Sequence, residues 1–202
     1  MPYPDRFYPV VDTVAWIARL ARLNVGTVQL RAKDLDDAKA HALVRDALDA
    51  VRGTSTKLVV NDYWRAAIDN GARHLHLGQE DLADADLPAI RKAGLTLGVS
   101  THDEEELSNA LDADPDYVAL GPIFFTTLKS MRFKPQGIER ITRWKQMIGG
   151  LPLVAIGGIK LEHAADIFAA GANSIAVVSD VTQNADPDAR VHAWLDATME
   201  AA

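Results

Sequence analysis

Eight short apolar runs rich in β-formers recur along the chain, and stretches with helical spacing of apolar residues lie between them. The runs are residues 7–11, 27–31, 57–61, 74–77, 95–99, 117–120, 153–156 and 174–178, each bounded by Gly, Pro, Asp or Asn. In the intervening stretches Trp16, Leu20 and Leu23 follow an Asp12 cap at i, i+4, i+7. Leu43, Ala47 and Val51 share one face, as do Leu161, Ala165 and Phe168. Thr101-His102-Asp103-Glu104 has the form of a capping box opening the helix after the fifth run. Strand-then-helix alternation implies a parallel sheet with helical crossovers, either an open doubly wound sheet or a closed barrel. The count of eight and the even spacing favour the (β/α)8 TIM barrel. The chain has 202 residues, about 25 per unit, so one barrel domain over residues 1–202 is expected. No Gly-x-Gly-x-x-Gly turn follows the first run, which weakens the dinucleotide-binding alternative.

Composition narrows the partners. The hydrophobic share of 48% supplies a sizeable core, and the 6% aromatic share makes it aliphatic. With 21 basic and 28 acidic residues the net charge is −7, which argues against a nucleic-acid surface but leaves room for a local basic pocket. The absence of cysteine excludes disulfides, thiolate metal sites and cysteine catalysis, and fits a reducing compartment. No apolar run reaches the roughly 18–20 residues of a membrane span. The start, Met1-Pro2-Tyr3-Pro4-Asp5-Arg6, lacks the apolar core of a signal peptide. The expectation is a cytoplasmic protein without nucleic-acid or membrane partners, with a homodimer left open.

The second run is the most informative. Gln29, Arg31 and Lys33 alternate with Val28, Leu30 and Ala32, so the polar side chains share one face. In a barrel that face points inward near the rim. Two cations there need an anion: a bound phosphate or diphosphate, or a carboxylate on a neighbouring strand. Asn61 ends the third run, Asp62 follows it, and Asp81 follows the fourth. Two carboxylates at adjacent strand ends can hold one Mg²⁺ together with substrate oxygens; alternatively each caps a helix. Ser100 is either a helix cap or a donor to phosphate. Gly157-Gly158 and Val178-Ser179 end the seventh and eighth runs, where barrels often bind phosphate, although a tight turn also wants glycine. The long connection over residues 121–136 carries Thr126, Thr127 and Lys129 and suits a lid over an anion, or a plain solvated loop. His74 and His76 share a face and read as hydrogen-bonded interior histidines rather than a metal pair. His41, His102, His163 and His192 read as surface, and Trp16 and Trp194 as packing.

Taken together, these stretches resemble the thiamine phosphate synthase family over about residues 7–185. The resemblance is carried by Gln29-Leu30-Arg31-Ala32-Lys33, Val60-Asn61-Asp62, His76-Leu77-Gly78-Gln79-Glu80-Asp81-Leu82, Gly98-Val99-Ser100-Thr101-His102, Gly121-Pro122-Ile123-Phe124, Thr126-Thr127-Leu128-Lys129, Ala155-Ile156-Gly157-Gly158-Ile159 and Ala176-Val177-Val178-Ser179. Tyr8-Pro9-Val10-Val11-Asp12 and Val99-Ser100-Thr101-His102-Asp103 resemble the enterobacterial type. The family has a (β/α)8 barrel and is a Mg²⁺-dependent transferase. It joins 4-amino-2-methyl-5-hydroxymethylpyrimidine diphosphate to 4-methyl-5-(2-hydroxyethyl)thiazole phosphate, giving thiamine phosphate and diphosphate through a pyrimidine methylene cation. The resemblance implies that Gln29, Leu30, Arg31, Ala32, Lys33, Asn61, Ser100 and Lys129 contact the pyrimidine diphosphate. It implies Mg²⁺ at Asp62 and Asp81, and thiazole phosphate at Thr126, Thr127, Leu128, Gly158, Val178 and Ser179. Arg31, Lys33, Ser100 and Lys129 would then be the catalytic set.

The chain departs from the family pattern at three places. Ala32 stands for the usual Glu and should face outward, Phe125 stands for Pro, and Leu128 replaces a Thr whose hydroxyl belongs near thiazole phosphate. A thiazole tautomerase paralogue and a non-catalytic barrel that binds thiamine precursors are the rival readings. The presence of Asn61, Asp62, Asp81 and Lys129 speaks against both.

Overall fold

In a computed structural model of the chain, residues 3–126 and 134–199 are described. Eight parallel strands close into a barrel in sequence order: β1 (Phe7–Val11), β2 (Thr27–Leu30), β3 (Lys57–Asn61), β4 (His74–Leu77), β5 (Thr96–Thr101), β6 (Tyr117–Leu120), β7 (Leu153–Ile156) and β8 (Ser174–Val177). The seam is made by β1 and β8, with Tyr8 opposite Ala176. The described helices are α1 (Val14–Arg22), α2 (Asp37–Ala50), α3 (Trp64–Asp69), α4 (Gln79–Asp84), α5 (Leu87–Lys92), α6 (Glu104–Asp112), α7 (Ile138–Ile148), α8 (Ala164–Ala169), α9 (Ser179–Thr182) and α10 (Pro187–Met199), with a 3₁₀ turn at Leu161–His163. No described helix is long and apolar enough to cross a membrane.

Period-two alternation sorts the strand residues into two cores. Tyr8, Val10, Val59, Tyr117, Ala119, Val154 and Ala176 pack together inside the barrel. Their neighbours in sequence, such as Phe7, Val11, Leu58, Val60, Val118, Leu120 and Ile175, belong to the larger core between strands and helices. A closed parallel barrel must bury both strand faces, which is why its strands read as apolar runs. The expected helix stripes hold in part: Leu20, Ala47 and Val51 are buried as expected, while Trp16, Leu23, Leu43, Leu161 and Phe168 are half-buried beside the core-facing residues. In α1 the buried residues are Ile17, Leu20 and Ala21; in α2 they are Ala40, Val44 and Ala47; in α8 they are Ala164 and Ile167, while Ala165 is exposed. Apolar residues populate both candidate stripes in these helices, and the β-branched Ile17, Val44 and Ile167 take the core-facing one.

Caps shift by one or two residues. Thr13, not Asp12, caps α1 by accepting from the Trp16 N–H at 3.3 Å. Asp103, not Thr101, caps α6 by accepting from the Glu106 N–H at 2.9 Å. Thr101 is instead the last residue of β5, fully buried, donating to the Ala119 carbonyl at 2.9 Å and accepting from Trp144 Nε1 at 3.0 Å.

Candidate active site

A cleft of about 710 Å³ opens at the carboxyl ends of the strands, the end where barrel enzymes build their sites. Its lining includes Arg31, Ala32 and Lys33 after β2, Ser100 in β5, Thr126 after β6, Gly157 and Gly158 after β7, and Val178 and Ser179 after β8. Tertiary structure thus brings together the ends of five strands around one opening.

Arg31 is half-buried on this lining, and its side chain has no hydrogen-bond or ion-pair partner among the described residues. Lys33 differs from the expected buried cation: its side chain is 51% exposed and pairs with Asp62 at 3.2 Å. The carboxylate partner foreseen as an alternative is therefore present for Lys33, at the tip of the adjacent strand. Strand β2 ends at Leu30, so the alternation that would turn Ala32 outward no longer applies, and Ala32 lines the cleft. Leu30 packs in the outer core. Gln29 and Asn61 are buried inside the barrel, 4% exposed each.

Asp62 and Asp81 meet at a second hollow, about 210 Å³, next to the Lys33–Asp62 pair. Neither behaves as a plain cap. Asp62 has φ 65°, the left-handed region that a non-glycine residue rarely occupies, and α3 begins without a side-chain cap. Asp81 sits in the first turn of α4, whose cap position is Gly78. Partial burial and the neighbouring Asp62 carboxylate push the Asp81 carboxyl up to about 6, while Lys33 opposes the shift. The two carboxylates crowd one another, the arrangement a cation relieves. No cluster of three His, Cys, Asp or Glu residues able to hold a metal occurs among the described residues.

The glycine pair is required by geometry. Gly157 and Gly158 have φ of 102° and 67°. A Cβ on Gly157 would stand 2.7 Å from Pro122 Cα, and one on Gly158 would overlap the Phe125 carbonyl oxygen. The pair is thus both a tight turn and a cleft wall against the base of the 121–136 connection. That base is tied down where the Gln136 N–H donates to Pro122 O at 2.8 Å, and where Gln136 Nε2 donates to His102 O at 2.8 Å. Val178 and Ser179 form the turn into α9 at the end of the adjacent strand β8 and line the same cleft. Thr127, Leu128 and Lys129 lie outside the described residues.

Ser100 is not a cap; it ends inside β5 and faces the barrel axis. Its Oγ lies 2.8 Å from His76 Nε2, and His76 Nδ1 lies 2.9 Å from the Tyr117 hydroxyl. His74 is hydrogen-bonded to Thr96 Oγ1 at 2.7 Å and stacks on Tyr3. Both are the hydrogen-bonded interior histidines expected from the sequence. Burial pushes the His76 imidazole down to about 4, with Asp62 opposing and Arg31 assisting, so the ring is neutral at neutral pH. Burial pushes the Tyr8 and Tyr117 hydroxyls up, keeping them protonated.

Sequence reasoning missed Asp12, Trp16 and His102 as cleft residues. Trp16 is half-buried and packs against the outer core as expected, with the Arg19 guanidinium over its ring, and its remaining surface lines the cleft. His102 pairs with Glu106 at 2.6 Å on the rim. Position was the available signal: Asp12 and His102 directly follow strands, as Asp62 does. Trp194 is the packing residue it was read as, stacked on Phe7 with centroids 5.5 Å apart.

Fold and site define a (β/α)8 barrel of the kind that carries its chemistry in one cleft at the carboxyl rim. A family model described as thiamine monophosphate synthase matches residues 7–181. Thiamine-phosphate synthase of Rhizobium etli is 53% identical over 194 residues, covering 96% of this chain and 95% of that protein. The enzyme of that name from Escherichia coli K12 is 50% identical over 186 residues, covering 92% and 88%. Among solved structures, thiamine phosphate pyrophosphorylase from Pyrococcus furiosus superposes with a TM-score of 0.84 at 23% identity, covering 96% of both chains. A 3-hexulose-6-phosphate synthase superposes with a TM-score of 0.72 at 14% identity, covering 95% of this chain and 99% of that one. The chain belongs to the thiamine monophosphate synthase family.

Proposed function

We propose that the protein is a thiamine phosphate synthase that joins the pyrimidine diphosphate to the thiazole phosphate. The observation that carries this reading is Arg31: a half-buried guanidinium on the cleft wall without a protein partner among the described residues. An unpaired cation in a half-buried site is unfavourable unless an anion completes it. A diphosphate between Arg31 and Lys33 supplies that anion, with Ser100 donating from the cleft floor. Gln29, Leu30, Ala32 and Asn61 shape the same end of the barrel, and Lys129 joins from the long connection. Gly158, Val178 and Ser179, at the ends of the adjacent strands β7 and β8, take the thiazole phosphate, with Thr126, Thr127 and Leu128 of the long connection as its further contacts.

Asp62 and Asp81 fit Mg²⁺: two hard oxygen donors, mutually repelling, leave coordination positions for phosphate oxygens and water. Bound there, Mg²⁺ adds positive charge next to the diphosphate. The remaining work falls to the chain. Arg31 and Lys33 stabilise negative charge as the C–O bond to diphosphate lengthens. The cleft walls hold the thiazole ring nitrogen against the methylene carbon, so that once the C–O bond has broken and diphosphate has left, the nitrogen lone pair forms the new C–N bond with the methylene cation. This route needs no strong base, and the neutral His76 imidazole behind Ser100 is occupied on both nitrogens. The test is a reaction with both substrates and Mg²⁺, read by chromatography for thiamine phosphate. No product, or processing of the thiazole phosphate without the pyrimidine diphosphate, would refute the reading.

A further inference from the structure

We propose that His76 is a positioning residue at the end of a one-way hydrogen-bond chain, Gln29 to Tyr8 to Tyr117 to His76, that makes the Ser100 hydroxyl a donor into the cleft. The inference rests on the diphosphate reading for its consequence, though not for its geometry. Gln29 Nε2 lies 2.8 Å from the Tyr8 hydroxyl, Tyr8 lies 3.0 Å from the Tyr117 hydroxyl, Tyr117 lies 2.9 Å from His76 Nδ1, and His76 Nε2 lies 2.8 Å from Ser100 Oγ. The first four residues are between 0% and 5% exposed, while Ser100 lines the cleft.

A chain of this kind can run in only two directions. Running outward, the Gln29 amide donates to Tyr8, Tyr8 to Tyr117, Tyr117 to His76 Nδ1, and His76 Nε2–H to Ser100. Every hydroxyl and imidazole proton of the chain is then used, and the Ser100 proton points into the cleft. Running inward, Ser100 donates to Nε2, Nδ1–H to Tyr117, and Tyr117 to Tyr8. The Tyr8 oxygen then accepts twice and its own buried proton has no acceptor, which is unfavourable in a dry site. The amide of Gln29, a donor at that contact, therefore sets the polarity of a group four bonds away. An outward chain presents a donor to an anionic oxygen; an inward one would present only lone pairs. Gln29 and His76 would act on the diphosphate through Ser100 without touching it.

The first measurement is on the wild-type protein, with no substitution. Histidine ¹⁵N NMR, with His76 assigned by its loss in His76→Gln, reports which ring nitrogen carries the proton. Nε2–H with bare Nδ1 is expected; the Nδ1–H tautomer would overturn the proposal. The second measurement is affinity for inorganic diphosphate with Mg²⁺ by calorimetry. Ser100→Ala should weaken binding about tenfold, the scale of one hydrogen bond to a charged group. His76→Leu should weaken it by the same factor, with no further loss in the double variant. His76→Gln, which keeps a donor near Nε2, should recover to within about threefold of wild type. Multiplying losses in the double variant, or equal losses in His76→Leu and His76→Gln, would overturn the proposal. A Nε2–H tautomer together with an inert Ser100→Ala would leave the chain's direction standing and remove the diphosphate reading instead.

Discussion

Gly98→Ala is the sharpest test of how the barrel interior is packed. Gly98 faces inward from β5 beside Tyr117 on β6, and a Cβ there would fall within the Tyr117 ring. That ring cannot retreat. Tyr117 is fully buried, sits edge-on to Tyr8 with centroids 6.3 Å apart, stacks on His76 at 5.5 Å, and holds hydrogen bonds to both. Overpacking a filled core costs about 1–3 kcal/mol. Displacing the ring also loses two hydrogen bonds at about 1 kcal/mol each. Replacing Gly by Ala returns roughly 0.4–1 kcal/mol by restricting the unfolded chain. The net expectation is a loss of about 2–5 kcal/mol in urea unfolding at constant pH. In a Tyr117→Ala background the space is open, so the same change should cost under about 1 kcal/mol, a strongly non-additive pair. A single-variant loss below about 1 kcal/mol, or equal losses in both backgrounds, would refute the view that Gly98 exists to admit the ring.

The remaining expectations concern the cleft. Arg31→Met should leave thermal stability unchanged or raised, because it removes an unpartnered half-buried charge, while activity falls by about 10²–10³; unfolding without ligand would point to an internal ion pair. Because the Asp81 carboxyl is raised to about 6, the native state holds its proton where the unfolded chain has lost it. Metal-free protein should therefore gain stability as pH falls from about 6 to about 4, by about 1 kcal/mol after solvent screening. Asp81→Asn should flatten that part of a melting-temperature profile, and an unchanged slope would count against the carboxylate crowding. With Mg²⁺ and substrates, Asp62→Asn and Asp81→Asn should each raise the Mg²⁺ concentration for half-maximal activity about tenfold or more, one lost charged ligand; an unaltered titration in both would return them to ordinary turn residues. Gly158→Ala should be poorly tolerated, since its φ of 67° and the Phe125 carbonyl leave no place for a methyl group. Stability comparable to wild type in thermal melts would contradict that close approach.

Much of this protein was legible before any coordinates. Strand signals are local: β-branched and apolar residues cluster within a few positions and end at Gly, Pro, Asp or Asn. Residues 7–11, 57–61, 74–77, 117–120 and 153–156 therefore match β1, β3, β4, β6 and β7 residue for residue. Eight such runs with short helical connections leave few topologies besides a closed parallel barrel. Closure in turn carries Arg31, Asp62, Asp81, Ser100, Gly158 and Ser179 to the same rim, because each follows or ends a strand at its carboxyl end.

Three-dimensional packing decided what depends on partners distant in sequence. Which of two apolar stripes on α1, α2 and α8 turns inward depends on the fit against the strands, and a one-residue rotation leaves the periodicity unchanged. Whether Lys33 is buried or paired depends on Asp62, which lies 29 positions away. The chain from Gln29 through Tyr8, Tyr117 and His76 to Ser100 joins five strands, β1, β2, β4, β5 and β6, across separations as large as 109 residues. Nothing in the neighbourhood of any one of those residues announces the others. Composition and periodicity act over a few residues of chain and so determine the strands, the helices and the rim; hydrogen-bond direction and charge pairing act over a few ångströms of space, and only the closed barrel brings those groups within reach.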